Sequence, residues 1–238
     1  MSTPSFSILK AHKAQALLCR KIVQEYRIPE RIRLVAGVDA AYFNERAIGA
    51  VAVLDYENMK IVESQTVKCS AKFPYVPSLF SFREIPPAVD CIKKLRLQPD
   101  VFLVDAQGVA HPFGCGFASH LGLVIGKPTI GVAKSRLIGE PVEIGGKVFL
   151  VHEGKVIGSV LTTKAGAKPI YVSVGHLVSL ASAVRIVEHC FGSGRVPEPL
   201  AVAHRIASKE RKQEMAMTGE TLCTPSRFSE IRFDAYER

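Results

Sequence analysis

Apolar residues recur along the 238-residue chain with a period that changes several times. Over residues 5–26, Ile8, Leu9, Ala16, Leu17, Ile22, Val23 and Tyr26 fall at mixed three- and four-residue spacings with Lys and Arg between them, which predicts a basic amphipathic helix. Runs rich in β-branched residues follow over 34–43, 49–56 and 60–69. The polar links Asn44-Glu45-Arg46 and Glu57-Asn58-Met59 have hairpin length, so an antiparallel three-strand meander is expected. The period then turns helical over 82–97, interrupted near its start by Pro86 and Pro87. Residues 100–104 are a short β-branched run of the kind buried in a parallel strand. A helix is expected again over 116–125, strands over 128–132, 148–152, 156–162 and 170–174, and helices over 178–190 and 200–217. Residues 218–238 carry no clear period and are expected to form a loosely packed tail.

Three antiparallel strands followed by helix, strand, helix, strand predict an α/β protein, a ribonuclease H-like mixed sheet flanked by helices. No repeat or Pro/Gly/Ser-rich linker divides the chain, so residues 1–217 are expected to form one domain. With 47% hydrophobic and 22% charged residues, disordered, collagen-like and coiled-coil classes are excluded. No apolar stretch approaches the ~20 residues of a membrane-spanning helix, and the first 20 residues lack a secretory pattern. A cytoplasmic protein without a membrane partner is expected. The six cysteines lie at least 22 residues apart with no Cys-x-x-Cys pair, so free thiols are expected rather than a zinc or redox motif. Lys and Arg number 31 against 22 Asp and Glu, a net charge of +9, and residues 1–36 hold +5 of it. That excess fits a polyanionic partner, and equally a solubilising surface.

The chemistry concentrates in carboxylates. Asp39 is a charge inside the apolar run 35–41, where it needs a cation, a donor network or an outward-facing position. Asp105 closes the run Val101-Phe102-Leu103-Val104, at the strand end where sites of α/β sheets collect. If those strands are neighbours the two carboxylates meet, and a hard divalent cation such as Mg²⁺ or Mn²⁺ would relieve their repulsion. Glu84, near the start of the 82–97 helix, could reach the same ion. Each aspartate alone reads equally well as an edge or capping residue. Phosphate-loop and dinucleotide glycine motifs are absent, which sets aside nucleoside-triphosphate and NAD chemistry.

An ordered set of motifs goes further. Gly37-Val38-Asp39, the run Phe73-Pro74-Tyr75-Val76-Pro77-Ser78-Leu79-Phe80-Ser81-Phe82-Arg83-Glu84, Asp105-Ala106-Gln107-Gly108-Val109-Ala110-His111-Pro112, Ala118-Ser119-His120-Leu121-Gly122 and Gly131-Val132-Ala133-Lys134-Ser135 together closely resemble the endonuclease V family over about residues 5–215. The resemblance implies a Mg²⁺-dependent enzyme, with Mn²⁺ as substitute. It implies recognition of deoxyinosine in DNA and hydrolysis of the second phosphodiester bond on its 3′ side, leaving 3′-hydroxyl and 5′-phosphate ends. Inosine-containing RNA and a noncatalytic inosine reader are the alternatives.

By the same resemblance Asp39, Asp105 and Glu84 are metal ligands, and Lys134, His111 and His204 stand near the reaction centre. His204 could ligate the metal, contact its bound water or orient the phosphate. A solvated lysine and a satisfied structural histidine are the plainer readings of Lys134 and His111. Tyr75, held between Pro74 and Pro77, corresponds to a wedge that enters the duplex, and Arg195 to a phosphate contact. Ser78, Phe80, Gly108 and Gly131 correspond to the base pocket. Ser78 and Ala106 stand where many members have glycine, and Leu177 where a basic residue is common. A monomer is expected.

Overall fold

A computed structural model of the chain describes residues 7–71, 73–74, 76–163 and 166–218. Tyr75 and residues 219–238 lie outside them. The described elements, in chain order, are α1 (Ile8–Cys19), β1 (Leu34–Phe43), β2 (Arg46–Asp55), β3 (Ile61–Ser70), a 3-10 turn (Pro77–Leu79), α2 (Phe80–Lys93), β4 (Val101–Val104) and α3 (Phe117–Ile125). Then come β5 (Thr129–Ala133), β6 (Glu140–Ile144), β7 (Lys147–His152), β8 (Lys155–Leu161), β9 (Ile170–His176), α4 (Leu180–His189) and α5 (Glu198–Thr218). The strands form one mixed sheet in the order β3-β2-β1-β4-β5-β9-β8-β7-β6. β1 is antiparallel to β2 and parallel to β4, and β4 is parallel to β5.

Alternation along the central strands splits the core into two layers. Val35, Val101, Leu103, Ile130 and Val132 pack towards α4 and α5. Ala36, Val38, Phe102 and Val104 pack towards α2 and α3. Both faces of β4 are therefore covered, and all four of its residues are buried, as its unbroken apolar run required.

Three elements depart from the pattern. β6 was not foreseen, because all five of its residues are exposed at the sheet's edge and Pro141 interrupts it. Helix α2 runs unbroken through Pro86 and Pro87. Pro87 has no N–H for the Arg83 carbonyl one turn back, and the Tyr42 hydroxyl from β1 donates to that carbonyl instead, at 3.3 Å. The third departure is α1, whose buried residues are Ala11 and Gln15, whereas Leu9 (64%) and Leu17 (61%) are exposed.

Two glycines set how closely helices lie on the sheet. A Cβ at Gly37 on β1 would overlap the Pro199 carbonyl at the start of α5, and one at Gly49 on β2 would overlap the Pro87 carbonyl of α2. Backbone meets backbone at both points. Gly37→Ala should force α5 outwards and destabilise the protein by about 2 kcal/mol. A denaturant unfolding curve measures this, and an unchanged midpoint would refute the close approach.

Candidate active site

β1 and β4 pair in parallel register, with Val35 beside Val101, Gly37 beside Leu103 and Val38 beside Val104. One step further lie Asp39 and Asp105, where the Asp105 amide still donates to the Val38 carbonyl at 3.2 Å. The alternation that sends Val35 and Val101 towards α5 sends both aspartates to the same side. There α5 supplies His204, whose Nδ1 lies 2.8 Å from Asp39 Oδ2. Lys134, just past the end of β5, places its Nζ in an ion pair with Asp105.

Ligand atoms of Asp39, Asp105 and His204 lie within 4.8 Å of one another, so these three could hold a divalent cation. Glu84 stands apart from that group. It is 2% exposed, on α2, and one of its oxygens, Oε1, is buried without a hydrogen-bond partner. Burial and the charges of Asp39 and Asp105 push its carboxyl up to about 8, opposed by its contact with the Tyr42 hydroxyl. Desolvation, with Asp105 beside it, likewise raises Asp39, and His204 opposes that rise. Two acids whose ionisation is opposed, Asp39 and Glu84, the second with an orphaned oxygen, and the close approach of Asp105 to Asp39 fit a hard divalent cation.

A cavity of ≈ 310 Å³ adjoins Asp105, lined among others by Phe80, Ala106, Gln107, His111, Ala133 and Leu137. That volume is at the lower limit of ligand pockets and suits one small planar group. His111 is 6% exposed and burial lowers it to about 4, so it is neutral. Its Nδ1 accepts the Phe113 N–H at 3.2 Å, and its ring also bonds the Ser78 backbone. With Nδ1 occupied as an acceptor, Nε2–H is the donor to Ser78. His111 thus joins two loops on one wall of the cavity. His120 is also buried and lowered to about 4, with Ser81 Oγ at 3.2 Å.

Other expected residues sit differently from the resemblance. Gly108 and Gly131 do not line this cavity. A Cβ on Gly108 would overlap the Val174 carbonyl of β9, and one on Gly131 the Gly108 amide, so both glycines allow the 105–109 loop to lie flat on the sheet. Arg195 spends its donors on protein carbonyls: Nε on Lys168 at 3.0 Å, and Nη2 on Lys134 and Pro169, each at 2.7 Å. It ties the Lys134 backbone to the loop before β9. Ser78 lies beside the cavity rather than in its lining, with Oγ 2.8 Å from His12 Nε2. Pro74 is exposed and Pro77 opens the 3-10 turn.

Sequence reasoning passed over Tyr42 and Gln107. Tyr42 supports Glu84 and carries the Arg83 guanidinium 4.3 Å above its ring. Gln107 is 8% exposed, with Nε2 on the Ser135 carbonyl at 2.9 Å. A polar residue within an otherwise apolar or small-residue motif was the available signal for both.

Adjacent acids at the carboxyl ends of parallel strands, in a helix-flanked mixed sheet with a base-sized cavity, define a ribonuclease H-like nuclease. The comparisons agree: the profile described as Endonuclease V matches residues 16–205, and the chain belongs to the endonuclease V family. Endonuclease V of Thermofilum pendens is 40% identical over 227 residues, covering 93% of this chain and 97% of its own. Among solved structures, endonuclease V from Streptomyces avermitilis superposes with a TM-score of 0.82 at 32% identity, covering 89% of this chain and 96% of its own. Endonuclease V of Ciona intestinalis, in complex with a 24-mer DNA containing an inosine followed by a ribo-adenosine, superposes with a TM-score of 0.78 at 31% identity. That match covers 87% of this chain and 98% of the Ciona chain.

Because Glu84 titrates higher in the folded than in the unfolded chain, its ionisation opposes folding increasingly from pH ~4.5 up to about 8. Glu84→Gln should therefore raise the Tm of the metal-free protein at pH 8, with the gain vanishing towards pH 4. Thermal melts across that range measure it, and a lower Tm for the variant at pH 8 would contradict the burial argument.

Proposed function

We propose that this chain is a Mg²⁺-dependent endonuclease that recognises deoxyinosine in DNA and hydrolyses the second phosphodiester bond on its 3′ side. The observation that carries this reading is the cavity adjoining Asp105, which sets a base-sized space directly beside the acidic cluster. The inosine-containing DNA bound by the Ciona relative supports the same substrate. Residues 1–217 act as one catalytic domain in this reading.

Asp39 and Asp105 would hold the cation, with the unpartnered oxygen of Glu84 as a further candidate ligand. When bound, the cation lowers the pKa of water and neutralises charge on the phosphoryl oxygens. The remaining work falls to the chain's own groups. Lys134, whose ammonium pairs with Asp105, would turn that ammonium to an entering phosphate. His204, exposed at the rim and bonded to Asp39, holds that carboxylate in orientation and can offer its other ring nitrogen to the phosphate or to water. Neutral His111 shapes the cavity and carries no charge to the lesion. Tyr75, between Pro74 and Pro77, stacks in the gap that the displaced nucleotide leaves.

The ribo-adenosine after the inosine in the Ciona substrate makes inosine-containing RNA the second reading. Matched DNA, RNA and single-ribose duplexes discriminate the two through the 2′-hydroxyl.

A labelled duplex with one deoxyinosine should be nicked one nucleotide beyond the lesion in Mg²⁺ and left intact in EDTA. Asp105→Ala should reduce the rate at least ~10²–10³-fold, while binding persists and weakens with salt. No nick by the unmutated protein in any divalent metal would overturn the proposal.

A further inference from the structure

The N-terminal helix α1 buries an amide where an apolar side chain would be expected. Gln15 is fully buried, and its Nε2 donates to two carbonyls, Ser78 at 2.9 Å and Cys115 at 3.3 Å. These carbonyls belong to segments 63 and 100 residues away in sequence. Ser78 lies in the 3-10 turn that leads into Phe80 and Ser81 on one side of the cavity. Cys115 lies in the loop whose His111 and Gly116 form another side.

Further contacts converge on the same point. The Ser78 backbone also receives the His111 ring, and Ser78 Oγ meets His12 Nε2 at 2.8 Å. His12, one turn before Gln15, stacks on Phe113 with ring centroids 4.3 Å apart. Leu9 and Leu17 meanwhile remain exposed, so α1 is docked by hydrogen bonds and one ring stack more than by apolar burial. An apolar residue at position 15 would take this donor from the Cys115 and Ser78 carbonyls, the first of them in a buried bond, which is why a side-chain donor suits the site.

We propose that Gln15 is a positioning residue for base selection: by fastening the Ser78 turn to the 111–116 loop, it fixes the separation of two walls of the base cavity. This rests on the deoxyinosine reading above. A cavity held at fixed width rejects purines with an added 2-substituent by clash, so loosening the clamp widens substrate choice before it affects the reaction at Asp105.

Gln15→Met keeps length and volume but removes the donor. His12→Ala releases the Ser78 hydroxyl and the stack while keeping the Gln15 donor, and it serves if the first variant folds poorly. In the full-length protein, Gln15→Met should speed amide hydrogen exchange across residues 76–82 and 111–117 by about tenfold, the loss of roughly one buried hydrogen bond, with the central strands unchanged. The ratio of kcat/KM on deoxyinosine to that on deoxyxanthosine duplexes should fall about fivefold to tenfold. His12→Ala should move both readouts the same way, by less.

Unchanged exchange would overturn the clamp whatever the substrate proves to be. Faster exchange with an unchanged base ratio, or equal loss on both duplexes, would reduce Gln15 to a purely structural role. Failure of the unmutated protein to nick deoxyinosine would overturn the substrate reading, whereas the exchange data would still decide whether the clamp exists.

Discussion

The parallel pairing of β1 with β4 is the constraint on which the candidate site depends. It is a backbone register, set by buried residues on both faces of two strands, and it places Asp39 beside Asp105 at their carboxyl ends. A slip of one residue along either strand would turn one aspartate towards α2 and α3 and away from α5. The apolar residues that pack the core thereby also aim the charges. Burial first, and then the charge of Asp105 beside it, raise the pKa of Asp39, while His204 from α5 pairs with Asp39 and Lys134 from the end of β5 with Asp105.

Those neighbours are in place because the sheet lets them come close. Gly37 admits the Pro199 carbonyl, so α5 begins against β1 with His204 a short distance along it. Gly49 admits Pro87 and lowers α2 onto β2, which buries Glu84 within reach of Tyr42. The two prolines of α2 are part of this arrangement, because the carbonyl that Pro87 leaves without a helical donor is taken by Tyr42. Packing, backbone satisfaction and the position of an acidic side chain are one problem with one solution here.

The acidic cluster and the cavity occupy adjoining ground. The acidic cluster lies at strand ends, held by regular structure, whereas the cavity is walled by turns and loops that need explicit fastening. Neutral His111 and buried Gln15 provide it with hydrogen bonds to the same carbonyl, that of Ser78. Arg195 does the same for the other side by holding the Lys134 backbone to residues 168 and 169. Arg195, which the sequence suggests as a phosphate contact, is here hydrogen-bonded to the protein's own backbone.

Periodicity alone determined the antiparallel meander, the buried parallel strand at Val101–Val104 and the helices that cover the sheet, because core burial writes itself into alternating and helical spacing. Chemical type alone marked Asp39 and Asp105, since a carboxylate in an apolar strand needs a reason. Spacing was silent on β6, which has no buried face, and it misread α1, where Leu9 and Leu17 are exposed while Gln15 is buried. Only the tertiary structure set His204 against Asp39, and made Gly108 and Gly131 points of close backbone contact. The physical reason is that burial pattern is a local property of the chain. Which carbonyl lacks a donor, and which charge faces which, are settled between distant segments, 165 residues apart for Asp39 and His204.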